Sequence, residues 1–187
     1  MTTADVFGRI VSLLERSAIP YMLTGSFASS YHGAPRATQD IDIVIAPTPG
    51  QLARLVRFLP DADYYVDVHA ALQALHDETQ FNVVEIATGW KVDFIIRRSR
   101  AFSRTEFERR QLIELDRLQL YVATVEDLII AKLEWAKRGQ SARQIEDVAG
   151  ILKLRFAELD RAYVEQWVRE LELGQQWEDA RDRAGIN

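Results

Sequence analysis

An aspartate pair in an apolar run is the most informative feature of this 187-residue chain. Acidic and branched residues alternate in Asp40-Ile41-Asp42-Ile43-Val44-Ile45, which predicts a strand. Because side chains two residues apart face the same side of a strand, Asp40 and Asp42 project together. Two adjacent carboxylates repel each other, and a hard divalent cation neutralises them. The pair therefore predicts a metal site.

A third carboxylate, Asp93, lies in the run Val92-Asp93-Phe94-Ile95-Ile96, the most apolar β-rich run of the chain. A lone carboxylate in such surroundings is costly unless it has a charged partner such as a metal ion. On a strand next to that of Asp40 and Asp42, Asp93 completes a set that can hold two Mg²⁺ ions. Asp93 is also the predicted base for an attacking hydroxyl.

Gly25-Ser26 is the predicted phosphate-binding element, between a short apolar run and a short helix. Glycine lets a phosphate approach the backbone, and the helix start offers free amide groups and a favourable dipole. A metal pair beside a phosphate cradle is the usual arrangement for phosphoryl chemistry. Each motif alone is common on ordinary surfaces, so the prediction depends on their occurrence together and in this order.

This order resembles the signature of the DNA polymerase β-type nucleotidyltransferase superfamily: Gly-Ser, acidic-x-acidic, then an acidic residue between hydrophobic ones. Arg36-x-Thr38-x-Asp40-Ile41-Asp42 resembles the branch that contains the abortive-infection-type nucleotidyltransferase toxins. The branch has two further helical motifs, matched by Glu126-Asp127-Leu128-Ile129-Ile130-Ala131-Lys132 and by Arg143-Gln144-Ile145-Glu146-Asp147. The resemblance covers residues 20 to 155.

The resemblance implies a Mg²⁺-dependent enzyme that transfers a nucleoside monophosphate from an NTP to an acceptor hydroxyl and releases pyrophosphate. The catalytic and metal-binding residues are then Asp40, Asp42 and Asp93. Nucleotide binding falls to residues with polar or charged side chains or a flexible backbone: Gly25, Ser26, Arg36, Thr38, Lys132 and Asp147. The acceptor is an RNA, a protein or a small molecule, and a cognate protein partner in a toxin–antitoxin system is a further expectation. The alternative is a non-catalytic nucleotide-binding or regulatory protein, either a degenerate transferase or an antitoxin.

Composition excludes several other chemistries. The chain has no cysteine, so disulfides, thiol nucleophiles and zinc–thiolate sites are ruled out. His32, His69 and His76 lack the spacing of a zinc hydrolase. The net charge of −5, with no apolar leader, predicts a soluble cytoplasmic protein without membrane attachment. Six arginines and two glutamates give the segment 97–110 a charge of +4, which is the sequence support for an RNA acceptor.

The pattern of elements predicts an α/β (α+β) fold: a mixed β-sheet nucleotidyltransferase core with flanking helices and a C-terminal helical region. We expect a core over residues 1–122 and a helical region over residues 123–187 that packs on it. Thr124, Ser141 and Asp160 are the predicted caps of its helices. Strands are expected at these ranges: 21–24, 40–45, 81–86, 91–96 and 118–122. Residues 104–111 are expected to be helical.

Overall fold

The structure is a computed structural model that describes residues 3–34, 38, 40–115 and 117–186. The chain divides into two units. The first contains the described residues of the ranges 1–24 and 37–123, and the second contains those of 25–36 and 124–187. Among the described residues, no helix is both long enough and apolar enough to cross a bilayer.

A seven-stranded mixed sheet forms the centre of the first unit, with the strand order β3-β4-β5-β2-β1-β7-β6. The strands are β1 (Tyr21–Leu23), β2 (Asp40–Ile45), β3 (Tyr64–Val66), β4 (Gln80–Glu85), β5 (Lys91–Ile96), β6 (Gln111–Leu115) and β7 (Leu118–Val122). Its helices are α1 (Thr3–Arg16), α3 (Pro49–Arg57), α4 (Val68–Asp77) and α5 (Ala101–Glu108). Central β2 runs parallel to β5 and antiparallel to β1. The predicted fold class is confirmed.

One face of this sheet buries a row of large side chains from β2 and β5. Ile41, Ile43 and Ile45 of β2 are buried on that face, and so is Phe94 of β5, which is 1% exposed. The ring of Phe94 packs on that of Phe81, with 5.4 Å between the centroids. Burial of such side chains contributes about 1.5–3 kcal/mol each. Because strand side chains alternate, burial of the isoleucines directs Asp40 and Asp42 to the other face.

The second unit is helical. It contains α2 (Gly25–Tyr31), α6 (Val125–Gly139), α7 (Ala142–Arg155), α8 (Arg161–Glu170) and α9 (Gly174–Ala184), with a 3₁₀ turn at Phe156–Glu158. The side chains of Thr124 and Asp160 cap α6 and α8 as predicted. Ser141 lies at the N-cap of α7 but makes no side-chain capping bond, so its predicted role as a capping side chain is wrong. Residues 104–111, predicted as one helix, contain the end of α5 and the start of β6.

Candidate active site

The three predicted metal-binding aspartates lie on adjacent parallel strands of the first unit. The register of β2 and β5 pairs Asp42 with Asp93 and Asp40 with Lys91. Residues paired in this way share a face of the sheet and are separated by about one strand spacing, 4.8 Å. Parallel pairing of two central strands thus brings together carboxylates that are 51 positions apart in the sequence, from Asp42 to Asp93.

Burial differs among the three carboxylates. Asp40 is exposed, Asp42 is partly exposed, and Asp93 is only 8% exposed. Oδ1 of Asp93 is buried and has no hydrogen-bond partner among the described residues. A buried carboxylate oxygen without a partner loses its hydration without compensation, so Asp93 favours a cationic partner. This feature matches the expectation drawn from its apolar surroundings.

Lys91 lies among these carboxylates, and the sequence reasoning did not identify it. Its Nζ is 3.1 Å from Asp93 Oδ2 and 3.5 Å from Asp40 Oδ1. Partial burial by itself lowers the pKa of Lys91, but the hydrogen bonds and negative charges of Asp93 and Asp40 outweigh it, so the pKa is raised. Lys91 is two residues before Asp93 on the same strand, a spacing that places both side chains on one face. That spacing is the signal that the sequence offered.

Asn82 extends the row of polar side chains. It is exposed, and β4 pairs it with Asp93, so Asn82, Asp93 and Asp42 follow one another across three neighbouring strands. On the other side of Asp42, the backbone N–H of Thr24 donates to the carbonyl oxygen of Asp42 at 2.9 Å. This bond holds Thr24, directly after β1, against the aspartate strand.

Thr38 lies just before β2. Its hydroxyl oxygen accepts a hydrogen bond from the backbone N–H of Asp40 at 3.1 Å, and the turn that results fixes the start of the aspartate strand. Arg36, the other predicted nucleotide-binding residue in this segment, lies outside the described residues. Thr38 therefore has a visible part in orienting Asp40.

Gly25 and Ser26 open helix α2 of the second unit. Gly25 has φ = 64°, a left-handed conformation that an L side chain rarely adopts, which explains the glycine at this position. Ser26 is buried. The hydroxyls of Ser29 and Ser30 donate to the carbonyl oxygens of Gly25 and Ser26, one turn back, at 2.9 and 3.1 Å.

Lys132 and Asp147, also in the second unit, form a buried ion pair between α6 and α7. Lys132 is 3% exposed, and its Nζ donates to Asp147 Oδ2 at 2.7 Å and to the side-chain oxygen of Gln144 at 3.3 Å. The two residues predicted to bind nucleotide are therefore brought together directly. Asp147 holds the ammonium in place, so its visible role is to position Lys132.

Asp127 has a structural role at the start of α6. It is fully buried, and its carboxylate accepts hydrogen bonds from the hydroxyls of Thr124 at 2.6 Å and Tyr163 at 2.5 Å. Its backbone N–H is in turn capped by the Thr124 side chain. The acidic residue of the predicted Asp-Leu…Lys motif thus joins α6 to α8.

The arginine-rich segment 97–110 begins away from the carboxylates. The backbone N–H of Arg97 donates to Ile45 O, at the C-terminal ends of β2 and β5, whereas the aspartates lie near the N-terminal ends. Four residues of strand from Asp93 to Arg97 span about 13 Å. The first arginine of this segment therefore lies at the other end of β5 from the carboxylates.

Two further observations concern metal-binding groups and cavities. Among the described residues, no group of three or more His, Asp or Glu side chains is arranged to hold a metal ion. A shallow cavity of about 800 Å³ lies elsewhere in the first unit, lined by residues of α1 together with Phe58 and Tyr64, and contains none of the predicted site residues. Carboxylate oxygens are the ligands that Mg²⁺ prefers. In this structure the carboxylates of Asp40 and Asp93 instead contact the ammonium of Lys91.

Comparison with solved structures identifies the fold. The chain is similar to ANT(2'')-Ia in complex with adenylyl-2''-tobramycin, with a TM-score of 0.58, 13% identity, and coverage of 95% of this chain and 99% of that one. It is also similar to an antigenic nucleotidyltransferase-like protein from Paracoccidioides brasiliensis (TM-score 0.55, 15% identity, covering 98% and 92%). A third similar structure is the lincosamide antibiotic adenylyltransferase LnuA in its lincomycin-bound form (TM-score 0.53, 13% identity, covering 81% and 96%).

Neither a protein-family model nor the sequence of a curated protein matches this chain. At 13–15% identity, the solved structures show a shared fold. The fold expected from the sequence motifs is confirmed.

Proposed function

We propose that this chain, which has the fold of the solved nucleotidyltransferases, transfers a nucleoside monophosphate from an NTP to an acceptor hydroxyl and releases pyrophosphate. One observation carries the proposal. The parallel register pairs Asp42 with Asp93, while Asp40 lies two residues from Asp42 on the same face. Like charges repel, so three carboxylates grouped at one end of two central strands are costly unless a cation offsets their charge.

The donor chemistry supports Mg²⁺ as the cofactor, with two ions as the full complement. Asp40, Asp42 and Asp93 would hold it, and the buried Oδ1 of Asp93, which has no partner among the described residues, is an oxygen such a cation satisfies. When bound, the cation supplies positive charge that offsets the charge of the transferring phosphate. The acceptor hydroxyl gives up its proton to Asp93, whose carboxylate is the base.

Nucleotide binding is assigned to the remaining predicted residues. Gly25 and Ser26 bind the triphosphate through backbone amides at the start of α2. Lys132 contacts the phosphates, and Asp147 is its positioning residue through their 2.7 Å hydrogen bond. Arg36 adds positive charge, and Thr38 orients Asp40 through the bond to its backbone N–H.

For the acceptor, a small polyhydroxylated molecule is the class that the similar structures favour. One of them contains an adenylylated aminoglycoside and another contains lincomycin. An RNA or protein acceptor, and with it the toxin–antitoxin role implied by the abortive-infection-type motifs, stays a prediction from the sequence. The sequence support for RNA is the charge of the arginine segment, whose first residue, Arg97, lies at the opposite end of β5 from the carboxylates.

A non-catalytic nucleotide-binding protein is the alternative function, and the position of Lys91 favours it. An ammonium within 3.1 Å of Asp93 and 3.5 Å of Asp40 partly neutralises the carboxylates without any metal ion. In this alternative, Lys91 takes the place of the metal ion, and the protein binds the phosphates of an NTP but catalyses no transfer. Nucleotide binding that is independent of Mg²⁺ distinguishes this alternative.

The test is a transfer assay with each of the four α-³²P-labelled NTPs and Mg²⁺. Three acceptor classes are offered separately: aminoglycosides and lincosamides, total RNA, and protein extract. We expect label on one class with the wild type and none with Asp42→Asn. Asp61→Asn, which changes an exposed aspartate of the same unit, is the matched control and keeps wild-type transfer. NTP binding without Mg²⁺ and without transfer to any class would establish the alternative instead.

A further inference from the structure

Lys91 shares its face of the sheet with the three aspartates. It opens β5, two residues before Asp93, and the register of β2 and β5 places it opposite Asp40. Its ammonium contacts one carboxylate oxygen of each, Asp93 Oδ2 and Asp40 Oδ1. Lys91 is thus a cation held at the place where the proposed function requires a divalent one.

The charges show what Lys91 does to this site. Asp40, Asp42 and Asp93 together carry −3, and the ammonium of Lys91 reduces the total to −2. Asp93 is 8% exposed whereas the Lys91 side chain is 37% exposed, so the carboxylate side of their contact is withdrawn from water and the ammonium side is not. Lys91 therefore stabilises a carboxylate that is otherwise buried without a charged partner.

A divalent cation and the ammonium compete for the same oxygens. Mg²⁺ binds carboxylate oxygens at about 2.0–2.1 Å and demands near-octahedral geometry. A cation on Asp93 Oδ2 is then within about 5 Å of the ammonium, at a distance where like charges repel strongly in a partly buried site. The lysine side chain is 37% exposed and has a flexible stem, so it can leave by rotating towards solvent.

We propose that Lys91 acts as an internal competitor for the metal site: its ammonium occupies the carboxylates of Asp40 and Asp93 and is displaced when a divalent cation binds. Lys91 then sets the affinity for the cation and keeps the site stable without it. The inference rests on the proposed function only in taking these aspartates as the metal ligands.

Mn²⁺ titration of EDTA-stripped protein by isothermal titration calorimetry, at constant pH and ionic strength, measures this competition. Lys91→Met removes the ammonium and keeps the length of the side chain, and we expect its Mn²⁺ affinity to be about tenfold higher than that of the wild type. Lys91→Gln, which retains a hydrogen-bond donor, provides the same test if Lys91→Met does not fold. Lys91→Arg keeps the charge and should stay within about twofold of the wild type.

Lys153→Met is the matched control, because it makes the same chemical change at an exposed lysine. Adding Asp93→Asn to each protein identifies the binding that occurs at this site. A second measurement is thermal unfolding in EDTA, where Lys91→Met should melt about 2–4 °C below Lys153→Met and recover the difference at saturating Mn²⁺.

Two outcomes overturn the inference, and they are distinguishable. If Mn²⁺ binding depends on Asp93 but Lys91→Met and Lys91→Gln bind no more tightly than the wild type, Lys91 does not compete and the proposed function stands. If no variant shows binding that depends on Asp93, the aspartates are not the metal ligands, and the proposed metal site fails with the inference.

Discussion

The buried pair of Lys132 and Asp147 allows a sharp test of how the second unit is held together. The side chains are 4% and 11% exposed, and their atoms Nζ and Oδ2 are 2.7 Å apart. Lys132→Met leaves the Asp147 carboxylate buried without its ammonium, and removing one partner of such a pair costs about 3–5 kcal/mol. For a chain of this size, we expect the melting temperature to fall by about 10 °C.

A double-mutant cycle separates the pair from its surroundings. We expect Asp147→Asn to be destabilising by itself, and Lys132→Met/Asp147→Asn to be more stable than the sum of the single effects by at least about 1.5 kcal/mol. The reason is that the double variant contains no unpaired buried charge. Urea unfolding followed by circular dichroism measures all four proteins, with Lys153→Met as the control for an exposed lysine.

Additive single effects would refute this reasoning, since additivity means that the two side chains do not interact. A loss below about 1 kcal/mol for Lys132→Met would also refute it, because that value is typical of a surface ion pair. Either result would mean that the ion pair of Lys132 and Asp147 does not stabilise the packing of α6 on α7.

Three further predictions address the active site, the α6–α8 contact and the pH dependence of stability. Asp93→Asn should lower kcat by about 100-fold or more while the protein stays folded, because the base is lost; steady-state kinetics with unchanged circular dichroism checks this. Tyr163→Phe removes the hydroxyl that donates to the buried Asp127 carboxylate, and it should lower the free energy of unfolding in urea by about 1.5–3 kcal/mol. A decrease below about 0.5 kcal/mol, which is typical of a surface substitution, would contradict this prediction. Burial raises the pKa of Tyr21 from 10.0 to about 12, so the folded state keeps a proton that the unfolded state releases, and the free energy of unfolding should fall between about pH 10 and 12. Tyr21→Phe should flatten that fall in urea titrations across this range.

The local parts of the fold could be predicted because their signals are local. Alternation of acidic and branched residues predicts β2 with its observed bounds, and the apolar run predicts β5 with its bounds. Thr124 before α6 is a capping signal that the structure bears out. Helix α9 lies within the region 123–187 that is predicted to be helical, but its bounds are not predicted, since its sequence is strongly polar and few of its side chains are buried.

The contacts that build the site depend on pairing between distant segments, which a single sequence does not specify. The motifs indicate three aspartates, but only the parallel register of β2 and β5 places Asp42 opposite Asp93. The pairing of Lys132 with Asp147 joins residues on two helices, so helical spacing within one segment could not predict it. Lys91 was within reach of sequence reasoning, because period-two alternation places it on the face of Asp93.

Acceptor-dependent release of pyrophosphate, measured with Mg²⁺ and an NTP, shows directly whether the three aspartates support nucleotidyl transfer. The three proteins to compare are the wild type, Asp42→Asn and Asp61→Asn. Asp42→Asn removes one carboxylate of the three aspartates, whereas Asp61→Asn removes an exposed carboxylate elsewhere in the same unit. We expect release by the wild type and Asp61→Asn and at least about 100-fold slower release by Asp42→Asn. Equal release by Asp42→Asn and the wild type would contradict this expectation, because the aspartates would then have no part in the reaction.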